Sequence, residues 1–180
     1  MQNNMDVEQP HSIWLCPTAT ANQHLQNTID DIADHEGTPS FAPHVTLLGD
    51  IVAAPRHTES LCRLAFAQTA VVDARIEGLA MTNLFFMSLF ADLDVPSYLH
   101  DVRRTLADRL GLDVAPDFRP HLSLAYGLAR DAQARQFTRT TPTVSQGQNL
   151  LLDTVVIASS SSTLPINLWK PLLKIKLVSE

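Results

Sequence analysis

Pro43-His44-Val45-Thr46-Leu47 and Pro120-His121-Leu122-Ser123-Leu124 are one five-residue pattern written twice: proline, histidine, aliphatic, hydroxyl, leucine. Each is a short apolar run introduced by a proline, which reads as a strand. Successive strand side chains alternate faces, and residues i and i+2 stand about 6.6–7 Å apart on one side. His44 and Thr46 therefore share a face, with Val45 and Leu47 on the other. His121 and Ser123 part from Leu122 and Leu124 in the same way. The aliphatic pair can anchor each strand in a core while imidazole and hydroxyl are presented together.

Working outward, each copy closes the same sequence of parts: an apolar strand, a loop, an amphipathic helix and a proline-containing loop. The first copy opens on Ser12-Ile13-Trp14-Leu15-Cys16, ended by Pro17. Thr18 or Thr20 can cap a helix with Leu25, Ile29, Ile32 and Ala33 on one face, ended by Gly37 and Pro39. The stretch 58–69 sets Leu61, Leu64, Ala65 and Gln68 at helical spacing. Two strands, 71–81 and 84–91, flank Asn83 and read as a hairpin. The second copy's helix starts at Pro96, buries Leu99, Val102, Leu106 and Leu110, and ends at Gly111. A short polar helix at 131–139 follows, then a strand at 150–158. A serine run, 159–162, reads as a solvated connection, and a closing strand spans 169–178, with Pro171 marking an edge. The class is α+β. A duplicated lobe with a cleft between copies is the expected layout, forming a single domain over 1–180 with 1–10 as a flexible tail.

Composition narrows the function. The chain has 180 residues, 45% hydrophobic and 18% charged, enough apolar material for a core. Its 19 acidic and 13 basic residues give a net charge of -6, unfavourable for tracking a long nucleic acid through its phosphates. A small phosphorylated ligand, which needs one local pocket, stays possible. Cys16 and Cys62 are too few for a disulfide scaffold and are expected to be reduced. No apolar run approaches the ~20 residues that span a membrane. The first ten residues lack the order of a signal peptide. The expectation is a cytoplasmic, monomeric protein off the membrane.

If the two lobes are related by an approximate twofold, two imidazoles and two hydroxyls meet around one centre. Imidazole, with an unperturbed pKa near 6.5, offers both protonation states at neutral pH, so the pair can serve as general base and general acid in one displacement. The hydroxyls can donate to phosphoryl oxygens. Hydrolysis of a cyclic phosphodiester needs this set and requires neither metal nor cofactor. A lone His-x-Thr would say nothing; two copies in matched contexts do. Paired histidines also occur at metal sites, but neither motif contains a carboxylate or thiol partner. Ser123 lacks the surroundings of a nucleophile elbow.

At these residues the sequence resembles the 2H phosphoesterase superfamily, and within it the cyclic phosphodiesterase branch of plants and yeast. The likeness rests on Ser12-Ile13-Trp14, Phe41-Ala42-Pro43-His44-Val45-Thr46, Leu84-Phe85-Phe86 and Pro120-His121-Leu122-Ser123-Leu124-Ala125-Tyr126. The resemblance implies a bilobal fold, with two antiparallel sheets lining a central cleft and helices outside. It implies hydrolysis of ADP-ribose 1″,2″-cyclic phosphate or a nucleoside 2′,3′-cyclic phosphate to a 1″- or 2′-phosphomonoester. It gives His121 the water and His44 the leaving oxygen, with Thr46 and Ser123 holding the phosphate. A 2′-5′ RNA ligase-like or RNA 2′,3′-cyclic phosphodiesterase activity, or a non-catalytic nucleotide-binding module, are the alternatives.

The remaining candidates carry two readings each. Tyr126 is a packed rim aromatic or a phosphate contact. Trp14 is a core residue or stacks on a base. Phe86 belongs to the core or to a base pocket. Trp169 reads as structural. His11, His24, His35, His57 and His100 read as surface or tail residues, and Arg103-Arg104 as a solvated helix face.

Overall fold

A computed structural model describes residues 4–177. The chain runs β1 (Gln9–Pro17), α1 (Ala19–Glu36), β2 (Val45–Ala53), α2 (Pro55–Ala65), β3 (Val72–Ala80), β4 (Leu89–Asp94), α3 (Tyr98–Arg109), β5 (His121–Ala125), α4 (Arg130–Thr140), β6 (Asn149–Ser159) and β7 (Lys170–Lys176). The α+β class holds. Val178, expected in the last strand, lies outside the described residues, as do 1–3 of the expected tail.

All seven strands join one sheet in the order β1-β2-β5-β4-β3-β6-β7, and β6 pairs back onto β1. Six strands thus close into an antiparallel barrel, with β7 appended at an edge, as Pro171 suggests. Two separate sheets were expected, and the structure corrects this. The long strand β6 is the physical reason. Its first part, 149–152, pairs with β3, while its later part, 154–159, lies on β7. Its opposite edge pairs with β1. One strand therefore spans both halves of the molecule. Across the ring, β2 meets β5 through the pair Val45↔Leu122.

The repeat is visible in space. β1-α1-β2 and β4-α3-β5 are both strand-helix-strand units whose two strands pair antiparallel. Alternation then sorts the side chains. Ile13, Leu15, Val45, Leu47, Leu122 and Leu124 join the main core with Leu25, Ile29 and Ile32 of α1 and Leu99 and Leu106 of α3. The helices thus cover the sheet face away from the histidines. Gly37 closes α1 in the left-handed conformation, φ 65°, which glycine adopts without a Cβ penalty.

Three local readings change. Gln9 and Pro10, placed in a tail, pair with Ala53 and Val52. The segment before β4 is a 3-10 turn, Phe85–Met87, instead of a continuous strand from 84. Helix α2 starts at Pro55 and turns Thr58 and Cys62 inward, leaving Leu64 75% exposed.

Leu122, buried on the core side of the β2–β5 seam, should cost about 2–5 kcal/mol of stability when cut to alanine. Leu64→Ala should stay within about 0.5 kcal/mol. Denaturant midpoints at unchanged m-value check both; a costlier Leu64→Ala would contradict this placement.

Candidate active site

The β2–β5 pair carries both motifs. In an antiparallel register through Val45↔Leu122, His44 stands across from Ser123 and Thr46 across from His121. Both histidines and both hydroxyls line a single cavity of about 250 Å³. That is near the lower end of the roughly 300–1,000 Å³ usual for small-molecule sites. Trp14, Phe86 and Tyr126 line it too, so the cavity unites all seven candidates.

Each imidazole is fixed by its own motif. His44 Nδ1–H donates to the Ala42 carbonyl at 2.6 Å, and His121 Nδ1–H to the Arg119 carbonyl at 2.8 Å. A carbonyl only accepts, so Nδ1 must carry the proton in both rings, leaving Nε2 as the working nitrogen. The intervening Pro43 and Pro120 hold the chain extended, which lets the ring reach back two residues. Each ring also rests on an aromatic side chain from the preceding strand of its unit. Trp14 stacks on His44 with centroids 3.9 Å apart and planes 16° from parallel, and Phe90 meets His121 edge-on at 5.3 Å. Trp14 pairs with Thr46, and Phe90 with Ser123, in the two corresponding strand pairs.

The two environments differ. His44 is 4% exposed, and burial pushes its pKa down to about 4, with His121's charge adding to the effect and the Ala42 carbonyl opposing it. His121 is also lowered by burial; the Arg119 carbonyl and Asp92 oppose this, and the Arg119 guanidinium adds to it. Ser123 Oγ donates to the Phe86 carbonyl at 3.1 Å. Burial raises the Tyr126 phenol, and a hydrogen bond with Ser123 partly offsets this. Tyr126 thus sits next to the phosphate-holding candidate while its ring stacks on Phe41 at 3.9 Å.

Trp14 is 5% exposed and gives one face to His44, so the open aromatic wall is formed by other rings. Phe86 and Trp169 lie at 6.0 Å and 22° from parallel beside the cavity. Trp169, read as structural, is therefore a wall of the site; its distance in sequence from either motif hid this. The serine run also departs from its reading. Ser160 and Ser161 are buried, and 160–162 line the cavity. Ser12 Oγ donates to the Ser160 carbonyl, and Ser162 N–H donates to Asp50, a non-glycine residue at φ 53°. A low-complexity serine tract offers no pattern that separates this role from a linker. His11, placed at the surface, is wholly buried, with Nε2 2.9 Å from Thr58 Oγ1. Among the described residues no group of three or more His, Cys, Asp or Glu side chains comes together to hold a metal ion.

The lowered His44 predicts a pH effect with a definite sign. Unfolded, the imidazole titrates near 6.5; folded, at about 4. Between these values the unfolded chain binds more protons, so stability is lost as pH falls from 6.5 towards 4, by about 3 kcal/mol for this group. His44→Gln should flatten that loss relative to the wild type in denaturant midpoints at pH 7 and 4.5. Equal slopes would contradict a buried neutral imidazole.

The fold is shared with solved structures. TT0787 of Thermus thermophilus aligns with a TM-score of 0.59 at 16% identity, covering 96% of this chain and 100% of that one. Apo LigT of E. coli aligns at 0.57 and 16% identity, over 96% and 99%. Among curated proteins none matches. No helix of the described residues is long and apolar enough to cross a membrane. Residues 17–158 match the 2′-5′ RNA ligase superfamily, and the chain belongs to it, as a 2H phosphoesterase carrying His44-x-Thr46 and His121-x-Ser123.

Proposed function

We propose that this chain is a metal-independent cyclic phosphodiesterase acting on a small nucleotide: ADP-ribose 1″,2″-cyclic phosphate, a nucleoside 2′,3′-cyclic phosphate, or both. The observation that carries the reading is the meeting, in one cavity, of two hydroxyls and two imidazoles whose Nδ1 atoms are tied to backbone carbonyls. One imidazole takes a proton from water as its oxygen bonds to phosphorus. The other gives a proton to the ribose oxygen as its bond to phosphorus breaks, leaving a phosphomonoester. Thr46, Tyr126 and Ser123, the last by turning its hydroxyl from the Phe86 carbonyl, hold the non-bridging oxygens as charge develops on them. Phe86 and Trp169 face the nucleoside, and Trp14 acts through its stack on His44. LigT has been solved with 3′-AMP and with phosphate, which supports a nucleotide phosphate as the ligand class.

The fields around the histidines favour a division of labour. A bound phosphate, being anionic, favours the charged form of both imidazoles. His44, the harder to protonate, suits the base on water; His121, beside Asp92, suits the acid. This reverses the assignment that the family resemblance implies. The cavity lining contains no Lys or Arg, which counts against an oligonucleotide with several phosphates in it.

Phosphorus NMR on ADP-ribose 1″,2″-cyclic phosphate and 2′,3′-cyclic AMP should show ring opening to a monoester, unaffected by EDTA. His44→Ala and His121→Ala should each lower kcat by about 10²–10⁴-fold. Retained turnover in both variants would overturn the mechanism. A diester with a nitrophenolate leaving group needs no acid, so it should restore His121→Ala and leave His44→Ala impaired. The opposite pattern would return the roles to the family's order.

A further inference from the structure

The catalytic cavity carries a group that the hydrolysis does not use. Asp50 lines it, and among the described lining residues Asp50 holds the one permanent charge. A carboxylate repels phosphate, so its place in this wall suits an uncharged, hydrogen-bond-donating part of the ligand. The chain departs from regular strand to put it there. Leu48 pairs with Ile13 and Ile51 with His11, so Gly49 and Asp50 together face the single residue Ser12. Such a β-bulge re-aims a side chain beside a site. Asp50 takes the left-handed conformation, φ 53°, which Asp and Asn tolerate better than other non-glycine residues.

The carboxylate is tied to the aromatic wall. Ser162 N–H donates to Asp50 Oδ1 at 2.7 Å. Two residues on, Leu164 N–H donates to the Ser161 hydroxyl at 3.2 Å, and the Leu164 carbonyl accepts from Trp169 Nε1–H at 3.0 Å. Ser12 Oγ holds the start of the same loop through the Ser160 carbonyl at 3.1 Å. The loop 160–164 thus fixes both the carboxylate and the indole that faces the nucleoside. An indole N–H lies in the ring plane, so Leu164 sits at the edge of Trp169. A base stacked parallel to that ring has its own edge on the loop side. Oδ1 already accepts one donor, but a carboxylate offers about four lone-pair sites, so both oxygens can accept another.

We propose that Asp50 reads the hydrogen-bonding edge of the nucleobase, and that the preferred substrate is guanosine 2′,3′-cyclic phosphate. The proposal rests on the hydrolase reading above and narrows it. Guanine presents two adjacent donors, the ring N1–H and the amino N2–H, which match the two oxygens of a carboxylate. Adenine and cytosine place a ring-nitrogen lone pair beside their amino group, and uracil flanks its N–H with two carbonyls. Each would turn a lone pair towards the carboxylate, and a site built for paired donors penalises a ligand that lacks them. Repulsion between Asp50 and phosphate also sets one orientation, with the cyclic ester at the histidines and the base at the loop.

The test compares the 2′,3′-cyclic phosphates of guanosine, inosine, adenosine, cytidine and uridine. The wild type should favour guanosine at least tenfold in kcat/KM, with inosine, which keeps N1–H but lacks the amino group, between guanosine and adenosine. Asp50→Asn keeps an oxygen for the Ser162 N–H and suits the left-handed backbone, but it removes the charge and one acceptor. It should cut the guanosine-to-adenosine ratio at least tenfold. An unchanged ratio would overturn the proposal, and equal losses on every base in Asp50→Ala would then show that Asp50 only braces the loop. A wild type indifferent to the base would overturn it as well. Calorimetry with 2′-GMP and 2′-AMP separates the two readings. If the wild type hydrolyses none of these compounds, the hydrolase reading fails. The edge contact then stands if Asp50→Asn weakens 2′-GMP binding at least tenfold more than 2′-AMP binding, and falls if both change alike or neither nucleotide binds.

Discussion

The site depends on the meeting of β2 and β5 at Val45↔Leu122. It is the thinnest seam in the barrel, yet it carries both motifs. Because antiparallel neighbours are related by a local twofold, one register sets each histidine across from the other motif's hydroxyl. The core-side leucines and valine fix which face that is, since a slip of one residue would turn every imidazole and hydroxyl into the core. Stability and chemistry are therefore coupled at this seam through strand alternation.

Each half then solves the same problem with similar means. A proline before the histidine extends the chain, the carbonyl ahead of it fixes the tautomer, and an aromatic from the paired strand supports the ring. The difference lies in the surroundings. Trp14 covers one face of the buried His44 ring, whereas His121 keeps Asp92 and Arg119 nearby. Two equivalent imidazoles become unequal through burial and neighbouring charge, and a general acid–base pair requires that inequality.

Much of this was legible in the chain. The repeated pentapeptide gave the strand faces, and the helical stripe Leu25, Ile29, Ile32, Ala33 is the buried set of α1. The faces of His44, Thr46, His121 and Ser123 followed from i, i+2 spacing, a local property, while Trp14, Phe86 and Tyr126 came with the family resemblance; all seven line one cavity. What escaped was set by long-range pairing. Closure of the sheet depends on β6 pairing with β3 along one edge and with β1 along the other, which no local pattern encodes. Trp169 and 160–162 arrive at the cavity only through that closure. Leu64 satisfied a helical period as well as Thr58 and Cys62 did, and packing against the barrel buried those two with Leu61 beside them and left Leu64 outside. His11 repeats the Pro-His step of the two motifs and bonds the Gln9 carbonyl in the same way, yet it is buried against Thr58, away from the cavity. The dipeptide thus encodes a ring geometry, and the strand register decides its use.

The central claim is that the two imidazoles share one bound anion. The direct measurement is an NMR titration of the His44 and His121 ring nitrogens, with and without inorganic phosphate. The account predicts that phosphate raises both pKa values together, that Nε2 takes the proton in each ring, and that His44 stays the lower of the two. A phosphate response at one histidine alone, or at neither, would contradict it.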